Sequence, residues 1–153
     1  IDKIDVNKKN INTQKIVEEI IQIIHIPKNI SIEIKSLLPK LYANKFKVQQ
    51  LFQNLISNAI KYNDKKLGEI TIDVEEKQES YVFSIKDNGI GIDEKYHKKI
   101  FEVFETLEEP DENSTGIGLS IVKKIINMLD GKVWLDSIVG KETTFYFELN
   151  KHS

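Results

Sequence analysis

Apolar residues recur at helical spacing in four stretches of this chain. In the first stretch, Ile16, Val17 and Ile20 follow the three- and four-residue steps of one helix face, with Asn12 or Thr13 placed to cap its start. The predicted helices span residues 12–25, 45–62, 94–104 and 118–129. The pattern therefore predicts three full helices and one short helix.

Alternation of apolar and polar residues predicts strands elsewhere. Ile30, Ile32 and Ile34 alternate in this way, as do residues 69–77 and 81–87, which are close enough to pair antiparallel. The predicted strands span residues 30–34, 69–77, 81–87, 132–137 and 143–149. We expect an α+β fold, in which helices cover one face of a mixed, mostly antiparallel sheet of about five strands and form a two-layer α/β sandwich.

Length and composition limit the classes of protein that this chain can belong to. Its 153 residues, 40% of them hydrophobic, suffice for one domain, expected over 10–150, with 1–9 as the end of a linker and 151–153 as a tail. The net charge of −2 gives no basic surface for nucleic acid. Cysteine is absent, and no apolar run reaches the roughly 20 residues of a membrane span, so we expect a cytoplasmic domain without direct membrane contact.

The basic residues are all lysine. Without arginine, the chain has neither a His-Arg-Asp catalytic loop of the protein-kinase type nor a bidentate arginine clamp. A P-loop is also excluded, because neither Gly131-Lys132 nor Gly140-Lys141 continues into Ser or Thr. Two common ways of binding a nucleoside triphosphate are therefore ruled out.

The second predicted helix carries an unusual row of amides. Residues 48–60 contain no charged side chain, while Gln50, Asn54, Asn58 and Lys61 fall within about 80° of one another on the helix. Amide oxygens one turn apart suit Mg²⁺, and a lysine one turn further can neutralise phosphate. An ordinary exposed face that ends in a capping asparagine is the alternative interpretation.

A single carboxylate ends one of the predicted strands. Asp87 is followed by Asn-Gly-Ile-Gly, so it could accept a hydrogen bond from an exocyclic amine while Gly89 and Gly91 let a base approach the backbone. The sequence Asp-Asn-Gly is also a common tight turn, which is the alternative interpretation.

A glycine-containing segment opens the last predicted helix. Thr115, Gly116 and Gly118 lie where free backbone amides could bind phosphate. The polar residues 106–115 precede them, in a position suited to a hinge and lid. Phe101 and Phe104 lie before this loop at a spacing typical of core residues.

These segments occur in a characteristic order. Residues 54–62, 87–91, 101–104 and 114–119 resemble the N, G1, F and G2 boxes of the catalytic and ATP-binding domain of sensor histidine kinases. That family belongs to a wider group with the gyrase, Hsp90 and MutL ATPases. The resemblance covers nearly the whole chain and implies a Bergerat-type sandwich that binds ATP and Mg²⁺ in bacterial two-component signal transduction.

The resemblance also implies a role for each matched residue. Asn58 would be the Mg²⁺ ligand, assisted by Asn54, while Lys61 would contact phosphate. Tyr62 would contact the nucleotide, and Asp87 would accept a hydrogen bond from the adenine amine. The other positions implied to bind nucleotide are Gly89, Gly91, Ile100, Thr115, Gly116, Gly118, Leu119 and Thr143.

One position distinguishes kinases from hydrolases in this group. The related ATPases have a water-activating glutamate four residues before the Mg²⁺ asparagine, whereas this chain has Asn54, which is a poor base. The resemblance therefore implies transfer of the γ-phosphoryl group to a histidine on a separate dimerisation domain of the same protein, with a response regulator as the indirect partner. We expect the isolated domain to be monomeric.

Three departures from the family pattern leave other functions open. Ser114 and Glu142 replace glycines that are usual at those positions, and Glu105 replaces a basic residue. Acidic residues in the expected lid would repel a triphosphate, so we expect weak, strongly Mg²⁺-dependent nucleotide binding. A non-catalytic nucleotide-binding scaffold is the main alternative, followed by an ATPase or an anti-sigma-type serine kinase.

Overall fold

A five-stranded sheet is the central element of the computed structural model, which describes residues 7–102 and 116–152. The elements in chain order are β1 (Lys8–Asn12), α1 (Thr13–Ile23), β2 (Ile30–Ile34), β3 (Lys40–Asn44), α2 (Lys45–Lys61), β4 (Gly68–Glu76), β5 (Ser80–Asp87), two short 3₁₀ turns (Glu94–Tyr96 and Lys99–Phe101), α3 (Gly116–Met128), β6 (Lys132–Ile138) and β7 (Glu142–Asn150).

The sheet has the strand order β2-β4-β5-β7-β6, in which only the β2–β4 pair is parallel. The mixed, mostly antiparallel α+β fold predicted from the sequence is confirmed. The register places Asp87 directly opposite Thr143, and Thr143 opposite Ser137. Three polar residues from separate strands therefore lie side by side at one end of the sheet.

The helices pack on one face of this sheet because alternate strand residues point toward them. Phe83 of β5 and Phe147 of β7 stack with ring centroids 5.0 Å apart. Phe52 of α2 packs edge-on against both, at 5.4 and 5.1 Å. All three rings are fully buried, so they anchor α2 over the middle strands.

Two asparagines fix where the first two helices begin. The Asn12 side chain accepts a hydrogen bond from the backbone N–H of Lys15, which identifies Asn12 as the N-cap of α1. The adjacent Thr13 is buried and donates its hydroxyl proton to the carbonyl of Pro39. Asn44 caps α2 in the same way through Lys47.

Several element boundaries differ from those predicted. Strands β1 and β3 were not predicted, and they form a separate two-stranded antiparallel sheet that includes Lys8 and Lys9 of the expected linker. Each strand has only five residues; β1 has a single apolar residue and the apolar residues of β3 are consecutive, so no clear alternation marks either strand. Within 94–102 the expected short helix is two 3₁₀ turns, and α1 ends at Ile23.

Candidate functional site

A cavity of about 150 Å³ opens between α2, α3 and the end of the sheet where Asp87 lies. Its lining is mainly apolar. The lining residues are Asn58, Tyr62, Asp87, Ile90, Gly91, Ile92, Ile100, Leu119, Thr143 and Phe145. The volume is below the roughly 300–1,000 Å³ of pockets that enclose a whole drug-sized ligand, so it suits one ring system rather than an entire nucleotide.

Among the described residues that line the cavity, Asp87 is the one acidic side chain. Its side chain is only 6% exposed, and one carboxylate oxygen accepts a hydrogen bond from the backbone N–H of Gly89 at 2.8 Å. Burial raises the pKa of Asp87 to about 6; the Gly89 hydrogen bond opposes this rise and the charge of Glu142 adds to it. At neutral pH the cavity therefore presents a carboxylate, which is a strong acceptor for a ligand's amino group.

The glycines after Asp87 allow the loop to pack against protein backbone on two sides. A Cβ on Gly89 would lie 2.6 Å from the carbonyl oxygen of Tyr62, and a Cβ on Gly91 would lie 2.3 Å from that of Ile138. Gly91 also has a φ of +76°, which favours glycine. Both glycines therefore shape the cavity through close backbone packing, and of the two only Gly91 lines it.

Hydrogen bonds also hold this loop against the end of α2, the start of β4 and the turn between β6 and β7. Ile90 donates its backbone N–H to the carbonyl of Tyr62 at 3.2 Å and accepts from Gly140 N–H at 2.6 Å. The Asn88 side chain accepts from Asn63 and from the backbone of Glu69, each at 2.8 Å. The tight turn proposed as an alternative is thus also the element that positions Asp87.

Thr143 lies beside Asp87 on the neighbouring strand and lines the same edge of the cavity, supported by a serine that the sequence analysis did not single out. Ser137 and Thr143 hydroxyl oxygens lie 2.7 Å apart, and Ser137 also accepts from Ile92 N–H at 2.7 Å. The available signal was a polar residue in the inward alternation of Val133, Leu135 and Ser137. The alternation alone does not show that Ser137 lies next to Thr143, because that pairing depends on the register between β6 and β7.

The polar side chains in the amide row of α2 do not all face the cavity. Asn58 lines the cavity, and its side-chain oxygen is buried and has no hydrogen-bond partner among the described residues. Asn54 instead donates its side-chain N–H to the carbonyl of Gln50 at 2.8 Å, within the helix. Lys61 is exposed, with its ammonium 5.5 Å from the ring centroid of Tyr62.

Most of the residues implied by the family resemblance surround this one cavity. Those that line it are Asn58, Tyr62, Asp87, Gly91, Ile100, Leu119 and Thr143. Asn54, Lys61 and Gly89 lie outside the lining, and Gly116 and Gly118 fall in the first turn of α3. Thr115, Ser114, Glu105 and the expected lid lie outside the described residues. Ile90, Ile92 and Phe145 line the cavity and were not predicted to do so.

The buried oxygen of Asn58 fits a magnesium ion. Mg²⁺ prefers oxygen ligands and is usually held by one or two protein groups together with substrate phosphates. Across 7–102 and 116–152, no group of three or more acidic or histidine side chains could hold a metal ion. A magnesium ion at Asn58 would take its other ligands from water or from a bound nucleotide.

Comparison with known proteins identifies the fold and the family. The family model described as histidine kinase-, DNA gyrase B-, and HSP90-like ATPase matches residues 43–153. The chain belongs to this family. It is a histidine kinase-type ATPase domain like those of sensor kinases, as the four sequence segments predicted.

Two curated relatives and one solved structure show how close the similarity is. Cyanobacterial phytochrome A of Nostoc sp. is 43% identical over 113 residues, which are 73% of this chain and 15% of that protein. Sensor histidine kinase WalK of Bacillus subtilis is 41% identical over 108 residues, 67% of this chain and 18% of WalK. The solved catalytic domain of histidine kinase ThkA is 26% identical, with a TM-score of 0.75 over 95% of this chain and 97% of that one.

The chain spans less than a fifth of the length of these curated relatives. In the part of the chain that the structure describes, no helix is both long and apolar enough to cross a membrane.

Proposed function

We propose that this domain binds Mg²⁺·ATP and transfers its γ-phosphoryl group to a histidine on a separate dimerisation domain. The observation that carries the proposal is the buried carboxylate of Asp87 in an otherwise largely apolar cavity. A carboxylate with a raised pKa is costly to keep there, and such groups mark functional sites. Family membership makes a nucleotide the expected ligand.

The adenine base occupies the cavity in this proposal. Ile90, Ile92 and Leu119 supply apolar surface for its faces, and Asp87 accepts a hydrogen bond from its amino group. Thr143 contacts the same edge of the base from β7, and Tyr62 closes the side next to α2. Because the cavity holds only one ring system, ribose and phosphates lie outside it.

The phosphates lie toward Asn58 and the start of α3. Asn58 would hold Mg²⁺ through its side-chain oxygen, which has no hydrogen-bond partner among the described residues, and Asn54, one turn earlier, would support the same metal. When bound, Mg²⁺ neutralises charge on the phosphate oxygens. Lys61 is exposed and unbranched, so it can swing toward phosphate, and the backbone N–H groups of Gly116 and Gly118 begin a helix whose dipole favours an anion.

The acceptor is a histidine rather than water because the site lacks a general base at the required position. Asn54 has no proton-accepting carboxylate, and its amide is bonded to its own helix. In the transfer, an imidazole nitrogen forms a bond to the γ-phosphorus while the bond to the ADP oxygen breaks. That histidine lies on another domain of the parent sensor kinase, which passes the phosphoryl group to a response regulator.

The test supplies the acceptor in trans. The domain is incubated with radiolabelled Mg²⁺·ATP and a histidine-bearing dimerisation domain from a related sensor kinase, and acid-labile phosphohistidine is measured. We expect labelling that requires both Asp87 and the acceptor histidine. Nucleotide binding without transfer to several such acceptors would favour the scaffold, and steady phosphate release without an acceptor would favour an ATPase.

A further inference from the structure

The hydroxyl of Ser137 is surrounded by three partners within 2.8 Å. It accepts from Ile92 N–H at 2.7 Å, lies 2.8 Å from the carbonyl oxygen of Glu142, and lies 2.7 Å from the hydroxyl oxygen of Thr143. Ser137 does not line the cavity itself, but it links the loop after Asp87 to both strands of the β6–β7 hairpin.

These contacts determine which hydroxyl donates to the other. A hydroxyl has one proton and two acceptor lone pairs. A carbonyl can only accept, so the proton of Ser137 goes to Glu142, and Ile92 N–H occupies one of its lone pairs. The remaining lone pair faces Thr143, so Thr143 must donate its own proton to Ser137.

The direction of this hydrogen bond determines what Thr143 can offer to a ligand in the cavity. Thr143 is 4% exposed and lies opposite Asp87 in the strand register. With its proton committed to Ser137, it offers the ligand only lone pairs. Asp87, when ionised, also only accepts. This edge of the cavity therefore consists of two acceptors from neighbouring strands.

We propose that Ser137 is a positioning residue for nucleotide specificity: by taking the proton of Thr143, it keeps this wall acceptor-only and selects purines with an amino group at position 6. A purine with an oxygen at position 6 would place an acceptor against two acceptors, and unpaired buried polar groups are costly. The inference rests on the proposed function, because it assumes that the base of a nucleotide occupies the cavity.

The experiment compares the dissociation constants of ADP and inosine diphosphate, both with Mg²⁺. We expect wild-type protein to prefer ADP by at least about tenfold. In Ser137→Ala, Thr143 recovers its proton and can donate to the 6-oxygen, so the preference should fall by several-fold through tighter binding of inosine diphosphate. A merely structural role for Ser137 would weaken both ligands equally and leave the ratio unchanged, which would overturn the inference.

Matched variants isolate the path through Thr143. Ser84→Ala, on the opposite face of the sheet, should leave the ratio at the wild-type value. Thr143→Ser keeps the hydroxyl and should keep the preference, whereas Thr143→Val should reduce it. Adding Ser137→Ala to Thr143→Val should change the ratio no further, since the serine acts through that hydroxyl. A further change would contradict the inference.

The outcomes also separate this inference from the proposed function. If wild-type protein binds neither nucleotide, the proposed function fails and the inference fails with it. If wild-type protein binds ADP but Ser137→Ala leaves the ratio of the two dissociation constants unchanged, only the inference fails. If Ser137→Ala does not fold, the comparison of Thr143→Val with Thr143→Ser tests the inference instead. A wild-type preference for ADP in Thr143→Val would overturn it.

Discussion

The two sides of the candidate site differ in how completely their polar groups are paired. On the side proposed to bind the base (the base side: Asp87, Ser137 and Thr143), the hydroxyls and a carboxylate oxygen have protein partners at 2.7–2.8 Å. On the side proposed to bind phosphate (the phosphate side: Asn54, Asn58 and Lys61), the Asn54 amide bonds to its own helix and the lysine is exposed. The buried oxygen of Asn58 has no partner among the described residues.

This difference suggests a division of labour. A set of paired groups on neighbouring strands is preorganised, so the base side can select its ligand without rearrangement. In the proposed function, the phosphate side is completed by oxygens of the nucleotide and by a metal ion. We therefore expect the base side to decide which nucleotide binds and the phosphate side to decide how strongly binding depends on Mg²⁺.

Breaking the base side should have the largest effect. In Gly91→Ala, the new Cβ would meet backbone at 2.3 Å in a left-handed conformation, so we expect a loss of about 3 kcal/mol or more in unfolding free energy, together with loss of nucleotide binding. Gly140→Ala is the matched control, because Gly140 has a φ of +79° but open space around it. It should cost only about 1–2 kcal/mol. Urea denaturation measures both, and equal costs would contradict the packing argument.

Asn58→Ala tests the phosphate side. It removes an oxygen that has no described protein partner and places a better helix former in α2, so stability should be unchanged or rise by about 0.5 kcal/mol. Affinity for ADP in the presence of Mg²⁺ should fall at least about tenfold, or 1.4 kcal/mol. Affinity in EDTA should be unaffected. Gln53→Ala, exposed on the same helix, is the control, and an unchanged response to Mg²⁺ in Asn58→Ala would exclude this residue as the ligand.

Acidification should weaken ligand binding on the base side. Ionised Asp87 is the stronger acceptor for an amino group, because a proton on the carboxylate turns one of its oxygens into a donor. Its pKa is about 6, so adenosine should bind roughly tenfold more weakly at pH 5 than at pH 7. Adenosine is the probe because it has no phosphate that titrates in this range. Affinity that stays constant between these pH values would contradict an ionised Asp87 as the acceptor.

Stability of the free domain should change in the opposite direction. The pKa of Asp87 rises from 3.8 to about 6 on folding, so the folded protein binds more protons between these values. Its contribution to the free energy of unfolding is therefore complete below pH 3.8 and is lost as the pH rises through about 6, by roughly 3 kcal/mol at most. Asp87→Asn should lack this component when the two pH profiles of unfolding are compared.

Glu142→Gln should give the smallest effect. Glu142 raises the pKa of Asp87 through charge repulsion, which is the last of its three causes, and it also lies 3.8 Å from the ammonium of Lys86. Removing the charge should shift the midpoint of adenosine binding to lower pH by a fraction of a unit. The Lys86 side chain is exposed, so the loss of its ion pair with Glu142 should lower the free energy of unfolding only slightly. A midpoint shifted upward would contradict the assigned sign.

Sequence reasoning reached the main elements of the fold because their periodicity is strong. The α2 stripe of Val48, Leu51 and Leu55 and the alternation of β5 both follow directly from burial of one face. By contrast, β1 and β3 are short strands that pair with each other across the intervening α1 and β2, and local patterns do not reveal such pairing. The 3₁₀ turns after the glycine loop also lack a distinctive period.

The candidate site was only partly predictable for a related reason. Asp87, Asn58 and Thr143 could be proposed because they stand in segments that resemble a known family, and the structure brings all three to one cavity. Ser137 escaped notice because its importance depends on register with Thr143 and on the position of Ile92, both of which are tertiary facts. The roles of Asp87, Asn58, Thr143 and Ser137 in binding stay predictions.

The most direct test of the account is calorimetric titration of Mg²⁺·ADP into wild-type protein and Asp87→Asn at neutral pH. The Gly89 N–H would hold the amide oxygen of asparagine, so its NH2 donor would face the amino group, which needs an acceptor. Binding should therefore weaken at least about a hundredfold, or roughly 2.7 kcal/mol. The melting temperature should be equal or higher, because a buried charge is removed. Asp136→Asn, exposed on β6, should bind like wild-type protein. Wild-type affinity in a folded Asp87→Asn would contradict the claim that this carboxylate recognises the base.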